Sequence, residues 1–315
     1  MLHFHFGGSV AASIHSDRKA AGRVAKAGGI RSLVVDFRPA PEHPYPAQLD
    51  DAETAYRRLL SQGYEPKNIG CTGHSIGGTL AVMLPLRPRA KGEELPGAIV
   101  SVSPWTDLTL THPAVDGNEK NDRMLSRSSL ERFRAAWQQD PAVDFADPAI
   151  SLARADLTGL PPTTVHYGAY EILADDGITL GRRLAEHGVT SEVHEMPEGQ
   201  HSFILGAGRV PETNRAIQQT GQWLRHHLGA RAARREGAME RRGAGDLRGQ
   251  ATGYRQARQE PAGLAVAGLA ARARPQRAAP RSAPPEAIWH PPDRSPRPCP
   301  GSAPSIWPAA QQEQQ

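Results

Sequence analysis

The sequence predicts an α/β architecture, a mostly parallel β-sheet with helices on both faces, and three observations carry it. Short segments rich in Val, Ile and Phe recur through residues 1–230, all but one are followed by a stretch with helical apolar spacing, and the remaining one runs into a long insertion. Strands that alternate with helices pair in parallel when each helix crosses back over the sheet. Strands are expected at Leu2–Phe6, Ser32–Phe37, Ile69–His74, Ala98–Ser103, Thr163–Gly168 and Val189–Met196. Leu49, Ala52, Tyr56 and Leu59 share one helical face through their spacing of three, four and three, and Gly63 stands where a C-terminal stop belongs. Further helical patterns cover Asp17–Ala27, Gly77–Leu86, Asp176–His187 and Glu212–Leu228. The insertion, residues 105–160, leaves the carboxyl end of a strand, the edge where α/β sheets bind ligands, and is expected to form a lid.

Composition narrows the classes further. The 315 residues contain only two Cys, Cys71 and Cys299, one core-like and one near the C-terminus, so a disulfide scaffold is excluded. The longest apolar runs, Leu80–Leu86 and Leu264–Ala271, fall far short of the about 18 residues a membrane span needs. The first eight residues lack the basic and apolar regions of a secretory signal, and a cytoplasmic location is expected. The formal net charge of +4 belongs to one end. Residues 231–315 hold 14 Arg, no Lys and seven acids, which leaves 23 bases against 26 acids in residues 1–230. The same 85 residues carry 12 of the 28 Pro and only six Leu, Ile, Val or Phe, too few to offset the entropy of ordering them. The expected organisation is therefore one domain over residues 1–229 and a disordered Arg/Pro/Ala-rich tail over 230–315. Without Lys, repeats or interleaved aromatics the tail predicts no nucleic-acid partner. The sequence sets no oligomeric state.

The first segment with specific chemistry is Gly73-His74-Ser75-Ile76-Gly77-Gly78, between an expected strand and an expected helix. A G-x-S-x-G in that context holds its serine on a strained turn, which only flanking glycines accommodate, and aims a helix N-terminus at developing negative charge. An ordinary glycine-rich turn is the alternative reading of the same residues. A nucleophilic serine needs a base, and the base an acid that holds its tautomer. His201, in Pro197-Glu198-Gly199-Gln200-His201-Ser202-Phe203, and Glu171, in Gly168-Ala169-Tyr170-Glu171, both follow strands in the order serine, acid, histidine. Asp175 and Asp176 are alternatives for the acid. The chain holds 13 His, so position rather than residue type singles out His201.

Six pieces in one order then resemble the hormone-sensitive-lipase-like family (family IV) of bacterial α/β-hydrolase carboxylesterases. They are His5-Phe6-Gly7-Gly8, Arg38-Pro39-Ala40-Pro41-Glu42-His43-Pro44-Tyr45-Pro46, Gly73–Gly78, Ser103-Pro104-Trp105-Thr106-Asp107-Leu108, Gly168–Asp176, and Gly199–Phe203 with Gly208-Arg209-Val210-Pro211-Glu212. The acid stands 96 residues after the serine and the histidine 30 further on, again similar to the family. The resemblance implies an α/β-hydrolase fold, Ser75 as nucleophile, His201 as general base and Glu171 as the acid that orients it. It also implies an oxyanion hole from the backbone N–H groups of Gly7, Gly8 and Ile76, with no cofactor and no metal. The implied reaction is hydrolysis of short- to medium-chain acyl esters, small-molecule substrates, through an acyl-enzyme on Ser75. The alternative is a hydrolase-like fragment or binding protein that keeps the fold without efficient turnover, as in the family's plant hormone-receptor relatives. Those lack the histidine base, and His201 is present here.

Five departures from the family pattern predict impaired activity. Phe6 stands where the family's loop has Gly, so its Cβ is expected to misaim the loop amides. Pro85 falls inside the helix after the serine, at a cost of about 3 kcal/mol. Ile76 replaces a small residue, and His74 an acid. Lastly, the family carries an N-terminal cap and two further strands before the glycine-rich loop. The resemblance therefore implies a truncated chain, with Ser32–Phe37 as an exposed sheet edge. His3 and His5 share one face of a strand, but with no carboxylate or third His expected nearby they predict no metal site.

Overall fold

Six strands build one sheet in the computed structural model, which describes residues 1–229. The expected tail, and Cys299 with it, lies outside the described residues. The strands are β1 (Leu2–Phe4), β2 (Leu33–Val35), β3 (Gly70–His74), β4 (Ala98–Val102), β5 (Thr163–Gly168) and β6 (Ser191–Met196), and all pair in parallel. Helices α1 (Ile14–Gly28), α2 (Ala47–Ser61), α3 (Ile76–Ala90), α6 (Ala174–Glu186) and α7 (Pro211–His227) lie where helical spacing places them. The insertion, in which the sequence marked no helix, holds two more, α4 (Ala114–Gly117) and α5 (Arg127–Trp137). Among the described residues no helix is long and apolar enough to cross a membrane.

Alternation along the strands divides the core in two. Leu2, Phe4, Ile99 and Val165 face α2, α3 and α6, whereas Val100 and Val102 face α1 and α7, where they meet Val24, Trp223 and Leu224. Such near-continuous apolar strands are what a sheet covered on both faces requires. α3 is buried all round from Ile76 to Pro85, as the central helix of the fold. It carries Pro85 inside it, as expected, and runs on past Leu86 through Pro88 to Ala90. Its last turns are tied down from outside: Arg87 pairs with Asp50 and Glu53, and Arg89 donates to the Asp156 and Thr158 carbonyls.

The strand order, β2-β1-β3-β4-β5-β6, locates the site. From β1 the chain steps outward to β2, then returns past β1 to β3 and continues the other way. The crevice between the carboxyl ends of β1 and β3 is therefore the topological switch point, where open α/β sheets bind ligands. The glycine-rich loop leaves β1 there, and Ser75 leaves β3. β2 and β6 form the two edges of the sheet among the described residues.

Candidate active site

One residue makes the whole turn between β3 and α3. Ser75 has φ 57° and ψ −133°, a left-handed region that a side chain occupies only under constraint. Two glycines allow it. A Cβ on Gly73 would lie 2.8 Å from the Phe4 carbonyl oxygen, and one on Gly77 would lie 2.6 Å from that of His5 and nearer still to that of Phe4. The turn thus packs directly on the end of β1, which draws the loop after β1 against the serine.

Three loops converge on Ser75. His201 Nε2 lies 2.9 Å from Ser75 Oγ, and His201 Nδ1 lies 2.9 Å from Glu171 Oε2. The other carboxylate oxygen of Glu171 accepts the Gly168 N–H at 2.9 Å. All three side chains are buried. Burial pushes the Glu171 carboxyl upward, and hydrogen bonds from His201, Gly168 and Ser103 offset that only in part. The two alternatives for the acid lie elsewhere: Asp175 accepts the Ala114 N–H, and Asp176 accepts from Thr106 and Asp107 and faces His112.

The loop after β1 is shaped by Gly7, at φ 110°, and Gly8, at φ 60°. No described residue accepts a hydrogen bond from the N–H of Gly7, Gly8 or Ile76, which leaves three backbone donors beside the serine turn. Phe6 does not disturb this loop as expected. Its backbone stays out of the left-handed region, so its Cβ costs nothing there, and its ring stacks on His74 with centroids 4.9 Å apart. The insertion roofs the loop: a Cβ on Gly8 would lie 2.5 Å from the Phe133 ring of α5. It also grips the other two loops. Asn118 donates to the Ala169 and Glu171 carbonyls, and Gln200, next to His201, accepts the Arg123 N–H.

A carboxylate and a third histidine do lie beside His3, contrary to the expectation from sequence. Asp17 of α1 bridges His3 Nε2 at 2.9 Å and His74 Nε2 at 2.8 Å, and all three are buried. Burial raises the Asp17 carboxyl, but the charge and hydrogen bonds of the two imidazoles outweigh it and hold the group far below the ordinary carboxylate range. His3 Nδ1 meets the Thr72 hydroxyl at 2.8 Å and His74 Nδ1 the Ser202 hydroxyl at 2.9 Å. With the imidazole protons on Nε2 both rings donate to Asp17, and the Thr72 and Ser202 hydroxyls stand at hydrogen-bond distance from Nδ1, so each ring nitrogen has a partner. The separations are hydrogen-bond lengths. His5 turns away from this group and stacks on Phe37 at 3.9 Å.

Comparison with known proteins adds the lineage. A sequence profile for the alpha/beta hydrolase fold matches residues 1–205. The chain is 33% identical over 229 residues to an acetyl-hydrolase of Streptomyces hygroscopicus, covering 73% of this chain and 76% of that one. It is 37% identical over 224 residues to an esterase of Acinetobacter venetianus, covering 71% and 73%. Its fold matches the crystal structure of an esterase from the bacterial hormone-sensitive lipase family with TM-score 0.70 and 35% identity, over 73% of this chain and 76% of that chain. The chain belongs to the hormone-sensitive-lipase-like α/β-hydrolases. Within this α/β-hydrolase, sequence reading missed Asp17, Ser202 and the Gly168 amide. Asp17 had a visible signal: it stands in one stripe with Ala20, Ala21 and Val24, at spacings of three, four and seven, an acid on the buried face of α1.

Proposed function

We propose that this α/β-hydrolase cleaves carboxylic esters with short to medium acyl chains through an acyl-enzyme on Ser75. The observation that carries the reading is the unbroken chain Ser75–His201–Glu171, with two contacts of 2.9 Å in a buried setting beside three unused backbone donors. In this mechanism His201 Nε2 takes the Ser75 proton as Oγ attacks the ester carbonyl. The carbonyl oxygen becomes an oxyanion, which the Gly7, Gly8 and Ile76 amides receive; one such donor contributes about 2.7–4 kcal/mol at the transition state. The His201 Nε2–H then protonates the departing alkoxide, and the acyl group stays on Ser75 Oγ. Water attacks the acyl-enzyme with His201 again as base, releasing the acid and restoring the serine. Glu171 keeps Nδ1 protonated throughout and stabilises the imidazolium, strongly so because the pair is shielded from water.

The acyl preference has two supports. The relatives include proteins named acetyl-hydrolase and, at 27% identity, ethyl acetate hydrolase, and one structural neighbour was soaked with p-nitrophenyl butyrate. In this chain, Phe133 of the insertion is seated on Gly8 of the loop that carries two of the proposed oxyanion donors. Hydrolysis of p-nitrophenyl acetate, butyrate and palmitate by the wild type and Ser75→Ala tests the reading. Faster turnover of the two short esters and loss of turnover in Ser75→Ala are expected. Preference for palmitate overturns the acyl assignment, and an active Ser75→Ala protein overturns the mechanism.

A further inference from the structure

The dipeptide His-Ser occurs at both loops that meet in the site, as His74-Ser75 and His201-Ser202, and the two dipeptides bond reciprocally. Ser75 Oγ meets His201 Nε2 at 2.9 Å, while Ser202 Oγ meets His74 Nδ1 at 2.9 Å. Behind each imidazole stands a buried carboxylate, Glu171 for His201 and Asp17 for His74, at 2.9 and 2.8 Å. The second chain, Ser202–His74–Asp17, copies the order of the first but is sealed: Ser202 is 1% exposed and His74 and Asp17 are 0% exposed. A hydroxyl so enclosed meets no substrate.

Its location gives it a different use. Ser202 adopts φ 53° and ψ 37°, a left-handed conformation that its surroundings must hold. Two contacts do so from opposite sides. Its hydroxyl reaches His74, and its N–H donates to Ser103 Oγ at 3.2 Å. Ser103 in turn neighbours Glu171, whose carboxyl it draws downward. The Phe6 ring stacks on the His74 imidazole. The residue that follows the base is thus tied both to the residue that precedes the nucleophile and to a neighbour of the acid.

We propose that Ser202, through His74 and Asp17, is a positioning residue that fixes the His201 loop on the serine turn and so sets the reach of the His201 imidazole to Ser75. This rests on the assignment of Ser75 and His201 given above. Positioning of a base acts on turnover: a displacement of about 1 Å costs about 100-fold in rate, while binding of a small ester is untouched.

The test is steady-state kinetics of the full chain on p-nitrophenyl acetate, with kcat expressed per site titrated by a fluorophosphonate. Ser202→Gly removes the hydroxyl and suits the left-handed backbone. It should lower kcat by about 10- to 100-fold with KM within about twofold. Asp17→Asn changes one acceptor at the far end of the chain at constant size and should lower kcat in the same direction, less. The double variant should match Ser202→Gly, because the two act through one path. The low-field proton resonance of His201 Nδ1–H should broaden in Ser202→Gly, a change that mere loss of stability does not produce. Wild-type kcat per labelled site in Ser202→Gly, or losses in the double variant that simply multiply, overturns the proposal. Ser75→Ala separates the failures: if it stays active, the assignment of the nucleophile has failed, and if it is dead while Ser202→Gly is fully active, only the positioning role has.

Discussion

Gly77→Ala probes the contact that joins the two halves of the site. The added methyl would stand 2.6 Å from the His5 carbonyl oxygen and closer still to that of Phe4. Carbon-to-oxygen contacts settle at about 3.3–3.6 Å, so to relieve the closer contact the end of β1 and the start of α3 must separate by roughly 1.1–1.4 Å. Neither side gives easily, since β1 is paired on both edges and α3 is buried all round. Overpacking of this kind costs about 1–3 kcal/mol, which for a domain of this size is a fall in Tm of roughly 2–12 °C. The same displacement moves the Gly7 and Gly8 amides away from the serine turn, with an expected loss of about 100-fold in kcat and little change in KM. Thermal melting with kinetics on p-nitrophenyl acetate reads both effects. A variant with wild-type Tm and kcat within twofold would refute the claim that close approach of β1 places the oxyanion donors.

Three further outcomes follow from the geometry. Glu171→Gln leaves the loop in place but favours the wrong His201 tautomer, so kcat should drop by about 10³–10⁴; a tenfold effect or less would give the orienting role to another group. Phe6→Gly should leave kcat within about threefold and lower stability by about 2 kcal/mol through loss of the stacked, partly buried ring and the added chain entropy; a tenfold rise in kcat would mean that Phe6 does misaim the loop. Burial, and secondarily His194, pushes the His166 imidazole down from 6.5 to about 3. The unfolded chain therefore binds one more proton between those values, and stability should fall as pH drops through that window, by at most about 1.4 kcal/mol per unit. Urea midpoints at pH 7 and pH 5 should show a smaller drop in His166→Gln than in the wild type, and equal drops would contradict it.

The strands were legible because both faces of the sheet are covered, so each strand is a short apolar run that local composition reveals. Their ends were less so: β1 stops at Phe4 because His5 already turns into the loop. The insertion hid α5, although Leu130, Phe133 and Trp137 carry helical spacing and Ser126 caps it with Ser129. Ser75, Glu171 and His201 could be picked out because each follows a strand, and chain order then brings them to one edge of the sheet. The backbone conformation of Phe6 and its stacking on His74, at the end of the neighbouring strand β3 but far along the chain, leave no trace in a local pattern. Asp17 was missed for a related reason. An acid in the first turn of a helix has a sufficient local explanation in the helix dipole, which masks its place on the buried stripe.

Stoichiometric labelling by a fluorophosphonate, followed by peptide mapping, bears most directly on Ser75 as an activated nucleophile. The expected result is one label per chain, on Ser75, with ester hydrolysis lost in proportion to labelling and no label taken up by Ser75→Ala. Hydrolysis that persists in the fully labelled protein, or a label on another serine that tracks the loss of activity, would contradict it.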